Sequence, residues 1–322
     1  MVGQSDGNNM TLGIGYGMGA GAIWGLVFVA PELVREFTPL QIAIGRYLAY
    51  GILSAMMLAP RWRSIASQLV RRDWMTLCWL GLTGNIVYFV LLSSAVHAGG
   101  IALTSLVIGF LPVAVTIIGS RDHNAVALTR LTPSLLLCTA GAICIGWQAV
   151  AGPANGASPL RVTGLFFAIG ALISWTIFAV VNSRCLGRLP HLAAHDWNLL
   201  TGLVTGAQAL LLIPVTLAIE PVRHSLPEWG RFALVSTGVA IFASILGNAL
   251  WNRASRLLPM TLVGQMILFE TLFALIYGFL WMHRLPTVME VAAFALVVAS
   301  VISCVAVHRR HGSNGSGQPA LA

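Results

Sequence analysis

The stretch Val263–Trp281 reads "VGQMILFETLFALIYGFLW". Almost every side chain in it suits hydrocarbon, and Glu270 stands near its centre. A run of this length matches the roughly 20 apolar residues with which an α-helix crosses a hydrocarbon layer of about 30 Å. At about 1.5 Å per residue, Glu270 lies roughly 16 Å from the start of the span, close to the bilayer midplane. A charge facing lipid at that depth costs roughly 3 kcal/mol or more. Glu270 is therefore expected to face the bundle interior, a cavity or a partner. Three roles are open to it: holding a cationic group of a solute, carrying a proton, or pairing structurally with a basic side chain.

The rest of the chain supports a membrane setting. Of 322 residues, 57% are hydrophobic and 9% charged, where a soluble domain carries about 25% charged residues. Mean hydropathy over the whole length is +0.83. Such a chain is an integral membrane protein, with the lipid bilayer as its main partner. The formal charge of +8 comes entirely from arginine on the basic side. Most of these arginines flank apolar runs, which reads as a topology signal and not as a nucleic-acid patch. The opening "MVGQSDGNNM" carries no basic residue, and no cleaved signal peptide is expected. Cys78, Cys138, Cys144, Cys185 and Cys304 form no CxxC pair. Buried free thiols are expected, with no disulfide, metal site or cofactor.

By the same measure of length, ten apolar segments run at about 11–31, 39–58, 74–95, 100–119, 132–150, 162–182, 195–219, 231–252, 259–281 and 286–307. The expected fold is all-α, with ten transmembrane helices; the alternation that a β-barrel needs does not occur. The stretch "AGPANGASP" (Ala151–Pro159) divides the chain into residues 1–151 and 160–308, five segments each, followed by a polar tail, 309–322, expected to be disordered. An odd number of spans makes the second half enter from the opposite side. The halves echo one another: "GAIWGLVFV" around Trp24 resembles "ALISWTIFAV" around Trp175, and "AVHAGGIALTSLVIGFLPV" can be laid on "ASRLLPMTLVGQMILFET". Inverted repeats around a site at the midplane are a transporter signature. With the N-terminus in the cytoplasm, twelve of the eighteen arginines fall on the cytoplasmic side and five outside, while Arg46 lies within a span. This bias places both termini in the cytoplasm.

The first span repeats glycine every four residues (Gly13, Gly17, Gly21, Gly25), a spacing that clears one helix face for a neighbouring backbone. Its "GYGMGA" resembles a dinucleotide fingerprint but lies inside an apolar helix, and is set aside. Arg46, in "PLQIAIGRYLAYG", lies about 10 Å from the outer end of its span. It can snorkel outward, pair with Glu270, or grip a carboxylate with its two-pronged donor face. Asn85 and Tyr88 are three apart and share a helix face. Trp24 and Trp175 occupy matching positions in the two halves, as cavity walls or as ordinary packing. Gln265 and Asn248 can bridge helices through their amides. The expected cavity residues are thus Trp24, Arg46, Asn85, Tyr88, Trp175, Gln265 and Glu270. His97 is expected in a short, solvated outer turn, and Asn182 as a helix cap.

These segments resemble a known family. "AIWGLVFVAPE", "PLQIAIGRYL", "NIVYFVLLSSAVHAGGIALTSLVIGFLPVAV" and "GNALWNRASRLLPMTLVGQMILFETLFALIYGFLW" fall in the order found in the drug/metabolite transporter superfamily. The likeness is to its ten-helix branch with two EamA-type repeats. Glu270–Thr271 stands where that branch commonly has an acidic residue followed by proline. Within the branch, "AIGALISWTIFAVVN" and the eighth helix resemble the YddG-type aromatic amino-acid exporters. The resemblance implies a bacterial inner-membrane exporter with a central cavity between its repeats, moving aromatic and other amino acids outward by alternating access. The competing expectation is proton-coupled efflux of cationic drugs or other small metabolites, with Glu270 as the proton carrier. In either case the partner is a small-molecule substrate; the sequence leaves the oligomeric state open and is compatible with a monomer. HExxH and GxSxG motifs are absent from the sequence, as are large soluble loops, so no enzyme is expected.

Overall fold

A computed structural model describes residues 2–28, 30–122, 125–150, 159–219, 224–281 and 285–315. Among them every regular element is helical: α1 (Val2–Gly25), α2 (Ala30–Leu33), α3 (Pro39–Leu58), α4 (Trp62–Ala66), α5 (Arg71–Leu80), α6 (Val87–Ile108), α7 (Leu111–Gly119) and α8 (Leu128–Val150). There follow α9 (Pro159–Arg188), α10 (Ala194–Ile219), α11 (Leu226–Val239), α12 (Asn248–Leu257), α13 (Met260–Met266), α14 (Leu268–Trp281) and α15 (Val288–Gly315). Six helical stretches are long and apolar enough to cross a membrane, and Leu128–Cys144 and Met260–Ala274 are shorter apolar helices.

Local chemistry starts and stops these helices. Thr38 caps α3: its backbone N–H donates to Gln41 Oε1 (2.9 Å) and its hydroxyl accepts from the Gln41 N–H (3.3 Å), with Pro39 in the first turn. The Asp73 carboxylate accepts from the Val70 N–H (3.0 Å) at the start of α5. Pro259 ends α12, and Leu258 before it is extended.

Two stretches of π-helix interrupt the run. Residues Gly81–Ile86 join α5 to α6, and Ala240–Gly247 join α11 to α12. A π-turn inserts an extra residue and frees backbone carbonyls from the α-helical ladder. Trp24 Nε1 donates to Ala243 O (3.0 Å), and Ser174 Oγ donates to Thr83 O (2.8 Å). Each π-turn thus accepts a side chain from a helix in the other half of the sequence.

The helices pack in pairs that join the two halves: α3 with α10, α6 with α9, α8 with α15, α7 with α13, and α1 with α12 and α14. Glycine makes two of these contacts possible. A Cβ built on Gly21 would come within 2.7 Å of Glu270 N, and one on Gly25 within 2.8 Å of Ala274 N. The four-residue glycine spacing of α1 does let α14 approach backbone to backbone. On the α3–α10 seam, a Cβ on Gly206 would lie 2.5 Å from Gly51 Cα.

The bundle has two distinct ends. One gathers ion pairs: Arg61–Asp196 (2.9 Å), Arg188–Asp73 (3.0 Å) and Arg184–Asp122 (2.8 Å). The opposite end holds the Arg231–Glu36 pair and a cluster in which Phe37 stacks between His224 (4.1 Å) and Phe232 (4.3 Å). The structure departs from the expected boundaries at His97, which lies inside α6 and not in a turn. Its Nδ1 sits 3.0 Å from Ser93 O, and the helix continues to Ile108. Most of the expected boundary between the halves, residues 151–158, and the last part of the tail, 316–322, lie outside the described residues.

Candidate functional site

A cavity opens among α1, α3, α6, α9, α12 and α14. Its lining runs from exposed His97 and half-buried Pro39 at one end to buried Trp24 and Trp175 at the other. The centres of water-sized spheres have about 110 Å³ of free space in it, where a single water needs only about 10–15 Å³ by that measure. This is room for a solute and not a packing fault.

Arg46, on α3, is held on three sides. Its Nε donates to Ser244 Oγ in the second π-turn (3.1 Å), and its guanidinium carbon lies 5.1 Å from the Tyr47 ring and 5.2 Å from Phe89. With 9% of its surface exposed, Arg46 does not snorkel to a membrane surface. Among the described residues only its Nε has a hydrogen-bond partner, so the two-pronged end of the guanidinium is left for something in the cavity.

Glu270 enters the same cavity from α14. It lies in the first turn of that helix, where the positive end of the helix dipole favours a carboxylate. The close approach of α1 at Gly21 fixes the backbone beneath it. Among the described residues no hydrogen bond or ion pair engages its carboxylate; Arg46 shares the cavity without forming an ion pair with it.

Aromatic rings complete the walls. Trp24 and Trp175 meet edge to face at 6.2 Å, Tyr88 lies 6.4 Å from Trp175, and Phe178 lies 5.8 Å from it. Asn85, at the first π-turn, donates from Nδ2 to Thr205 Oγ1 (3.1 Å). Its Oδ1 has no partner among the described residues and is free to accept from a solute. Beneath the cavity floor, Trp251 packs against both tryptophans, at 5.3 Å from Trp24 and 5.5 Å from Trp175.

Six of the seven expected residues, Trp24, Arg46, Asn85, Tyr88, Trp175 and Glu270, therefore line one cavity. Gln265 does not. It is fully buried, donates from Nε2 to Thr116 Oγ1 (3.3 Å) and accepts at Oε1 from Ser300 Oγ (3.1 Å), tying α13 to α7 and α15. Five residues before Glu270, it points about 140° away around the helix, with a further turn at Ile267 between α13 and α14. Replacing Gln265 by Leu is expected to lower stability by about 0.5–2 kcal/mol, read as an earlier melt of the detergent-solubilised protein, and to leave the KM for transported solute unchanged.

Sequence reasoning overlooked several lining residues. Phe178 is one turn beyond Trp175, and Tyr47 and Phe89 adjoin Arg46 and Tyr88, so helical spacing would have pointed to Phe178. Asn248 lines the cavity as well. The grip of Ser244 on Arg46 carried no sequence signal, since 198 positions separate them.

Comparison with known proteins agrees with a membrane transporter. The chain matches the EamA-like transporter family over residues 11–147 and again over 162–305. It is 32% identical over 314 residues to the inner membrane protein YtfF of Escherichia coli (strain K12), covering 92% of this chain and 95% of that one. It is 26% identical over 287 residues to the uncharacterized transporter YdeK of Bacillus subtilis (strain 168), covering 86% and 89%. A solved crystal structure superposes with a TM-score of 0.72 over 92% of this chain and 98% of its own, at 18% identity, a likeness of fold alone. Neither relative's name states a substrate, so the narrower resemblance to aromatic amino-acid exporters has no support from them.

Proposed function

The chain belongs to the EamA-like transporter family, and from that premise we propose that this multi-pass inner-membrane protein exports amino acids, aromatic ones foremost. In this reading residues 1–151 and 160–308 form two inverted five-helix repeats that rock about the central cavity, with both termini in the cytoplasm. Support for the repeats comes from the double family match and from the two π-turns, each capped from the other half by Trp24 or Ser174. The exported solute is held by Trp24, Arg46, Asn85, Tyr88, Trp175 and Glu270.

One observation carries the substrate class. A cavity at membrane depth keeps a guanidinium and a carboxylate that are not paired with one another. Two charges buried for structure alone would be expected to meet, since a buried ion pair that is broken is costly. Not paired with each other, they suit the carboxylate and ammonium of one zwitterion, and the aromatic rings that line the same cavity suit an apolar side chain. Counterflow in proteoliposomes with labelled phenylalanine, threonine and lysine, run with and without a pH gradient, tests this. Phenylalanine is expected to exchange fastest; exchange of none of the three would end the proposal.

The unpartnered carboxylate also fits the second reading, efflux of cationic solutes against protons. That reading requires transport driven by a pH gradient and no need for a solute carboxylate.

A further inference from the structure

The cavity floor is closed at the end of the bundle that carries the arginine ion pairs. Asn182 Nδ2 donates to Asn252 Oδ1 (2.8 Å), while Trp197 Nε1 donates to Asn182 Oδ1 (3.0 Å). Asn182 is thus a buried bridge between α9, α10 and α12, and not the helix cap expected from sequence. One turn further along α12, the Arg256 guanidinium donates to the Leu189 and Leu192 carbonyls in the connection between α9 and α10. These contacts latch α12 to its neighbours.

Between and beside the latches lie polar atoms with nothing to bond. Trp251 Nε1, Ser255 Oγ and Arg256 Nε are buried and have no hydrogen-bond partner among the described residues. Trp251 is 1% exposed and Ser255 6%. They are four residues apart and so share one face of α12, and Arg256 comes directly after. A buried polar group left unpaired costs more than its hydrogen bond would contribute, and native proteins keep few of them without a reason. Three neighbouring donors on a single short helix call for one. They continue from Asn248, which lines the cavity, so that Asn248, Trp251 and Ser255 form a row at helical spacing from the cavity to the arginine-rich end.

We propose that this face of α12 lines the route by which solute enters from the arginine-rich end, and that Trp251, Ser255 and Arg256 form a station there for the solute's anionic group. All three unpartnered atoms are donors or can donate, one beside a positive charge, which selects a carboxylate over an ammonium. In the closed arrangement they wait unpaired; when the Asn182 and Arg256 latches part, they meet water and then the incoming carboxylate. The station rests on the proposed export of amino acids, whereas the route does not.

Two measurements on the full-length protein in proteoliposomes test this. A cysteine at Ser255 (Ser255→Cys) is exposed to a membrane-impermeant thiol reagent from either side, with the wild-type protein as background for Cys78, the exposed native thiol. Labelling is expected only from the arginine-rich side, and at least about 10-fold faster when Asn182→Ala removes the latch. Labelling from the opposite side, or none from either side in a variant that still elutes as a folded monodisperse species, overturns the route. The second measurement uses Trp251→Phe, which keeps an aromatic ring, though a smaller one, and deletes the N–H. It is expected to raise the KM for phenylalanine presented at the arginine-rich side about 5-fold, with KM from the opposite side unchanged. Equal KM values from both sides overturn the station. The labelling needs no transported solute, so it tests the route even in a protein that does not carry phenylalanine.

Discussion

Glu270→Gln is expected to lower phenylalanine transport at least about 30-fold, the equivalent of roughly 2 kcal/mol lost at a charge pair. The variant is nearly isosteric and leaves the α1–α14 approach at Gly21 in place, so the helix packing behind it is unchanged. It removes the negative charge that faces a solute ammonium. It also leaves the Arg46 guanidinium without an opposite charge among the residues that line the cavity. Glu270→Asp keeps the charge on a shorter arm and is expected to recover part of the rate. The same variants separate the two readings of the carboxylate. A solute ligand lost to Gln depresses exchange and uphill transport together. A proton carrier lost to Gln stops uphill transport but spares exchange, and a Gln variant that still drives uphill transport would show that Glu270 is not an essential proton carrier.

Arg46→Leu is expected to raise the KM for phenylalanine about 100-fold and Arg46→Lys about 10-fold, measured as concentration dependence of counterflow. Removal of one member of a hydrogen-bonded charge pair costs about 2–5 kcal/mol, and the Leu variant removes the donor altogether. Lysine keeps the charge but lacks the flat guanidinium that lies near Tyr47 and Phe89, and its three donors radiate from one nitrogen, so beside Ser244 it does not present a planar two-pronged end to a carboxylate. Ser244→Ala then acts through Arg46: it frees the guanidinium without deleting it, and a KM increase smaller than that of the Lys variant is expected.

How much of the site is legible in the sequence depends on the type of signal. Charges in apolar runs stand out because lipid penalises them strongly, and this signal marks Arg46 and Glu270. Trp24 and Trp175 emerge from an echo between halves, and the glycine row of α1 from a spacing that has few other uses in a membrane helix. Partners distant in the chain are invisible: nothing near Arg46 hints at Ser244, and nothing near Asn182 hints at Asn252 or Trp197. Registers also fail where helices depart from the regular period. A π-turn inserts one residue and rotates the helix beyond it by about 100°, so helical counting across residues 240–247 does not assign Asn248 to the cavity. Gln265 shares an apolar run with Glu270 but not a helix face, since five residues already place it about 140° around the helix, and its amide is taken up by Thr116 and Ser300. Gly99 and Gly100 suggest a loop at His97, yet α6 continues through both, as membrane helices do more readily than soluble ones.

The charge arrangement makes one demand that neither the fold nor the family does: both ends of the solute must be read at once. Counterflow of labelled phenylalanine is measured against its decarboxylated amine and its deaminated acid as competitors. Unlabelled phenylalanine is expected to compete at least about 10-fold better than either, each lost contact being worth roughly 1.4 kcal/mol or more. Competition by the amine as strong as that of phenylalanine, persisting in Arg46→Leu, would contradict a zwitterion site and leave a transporter of cations.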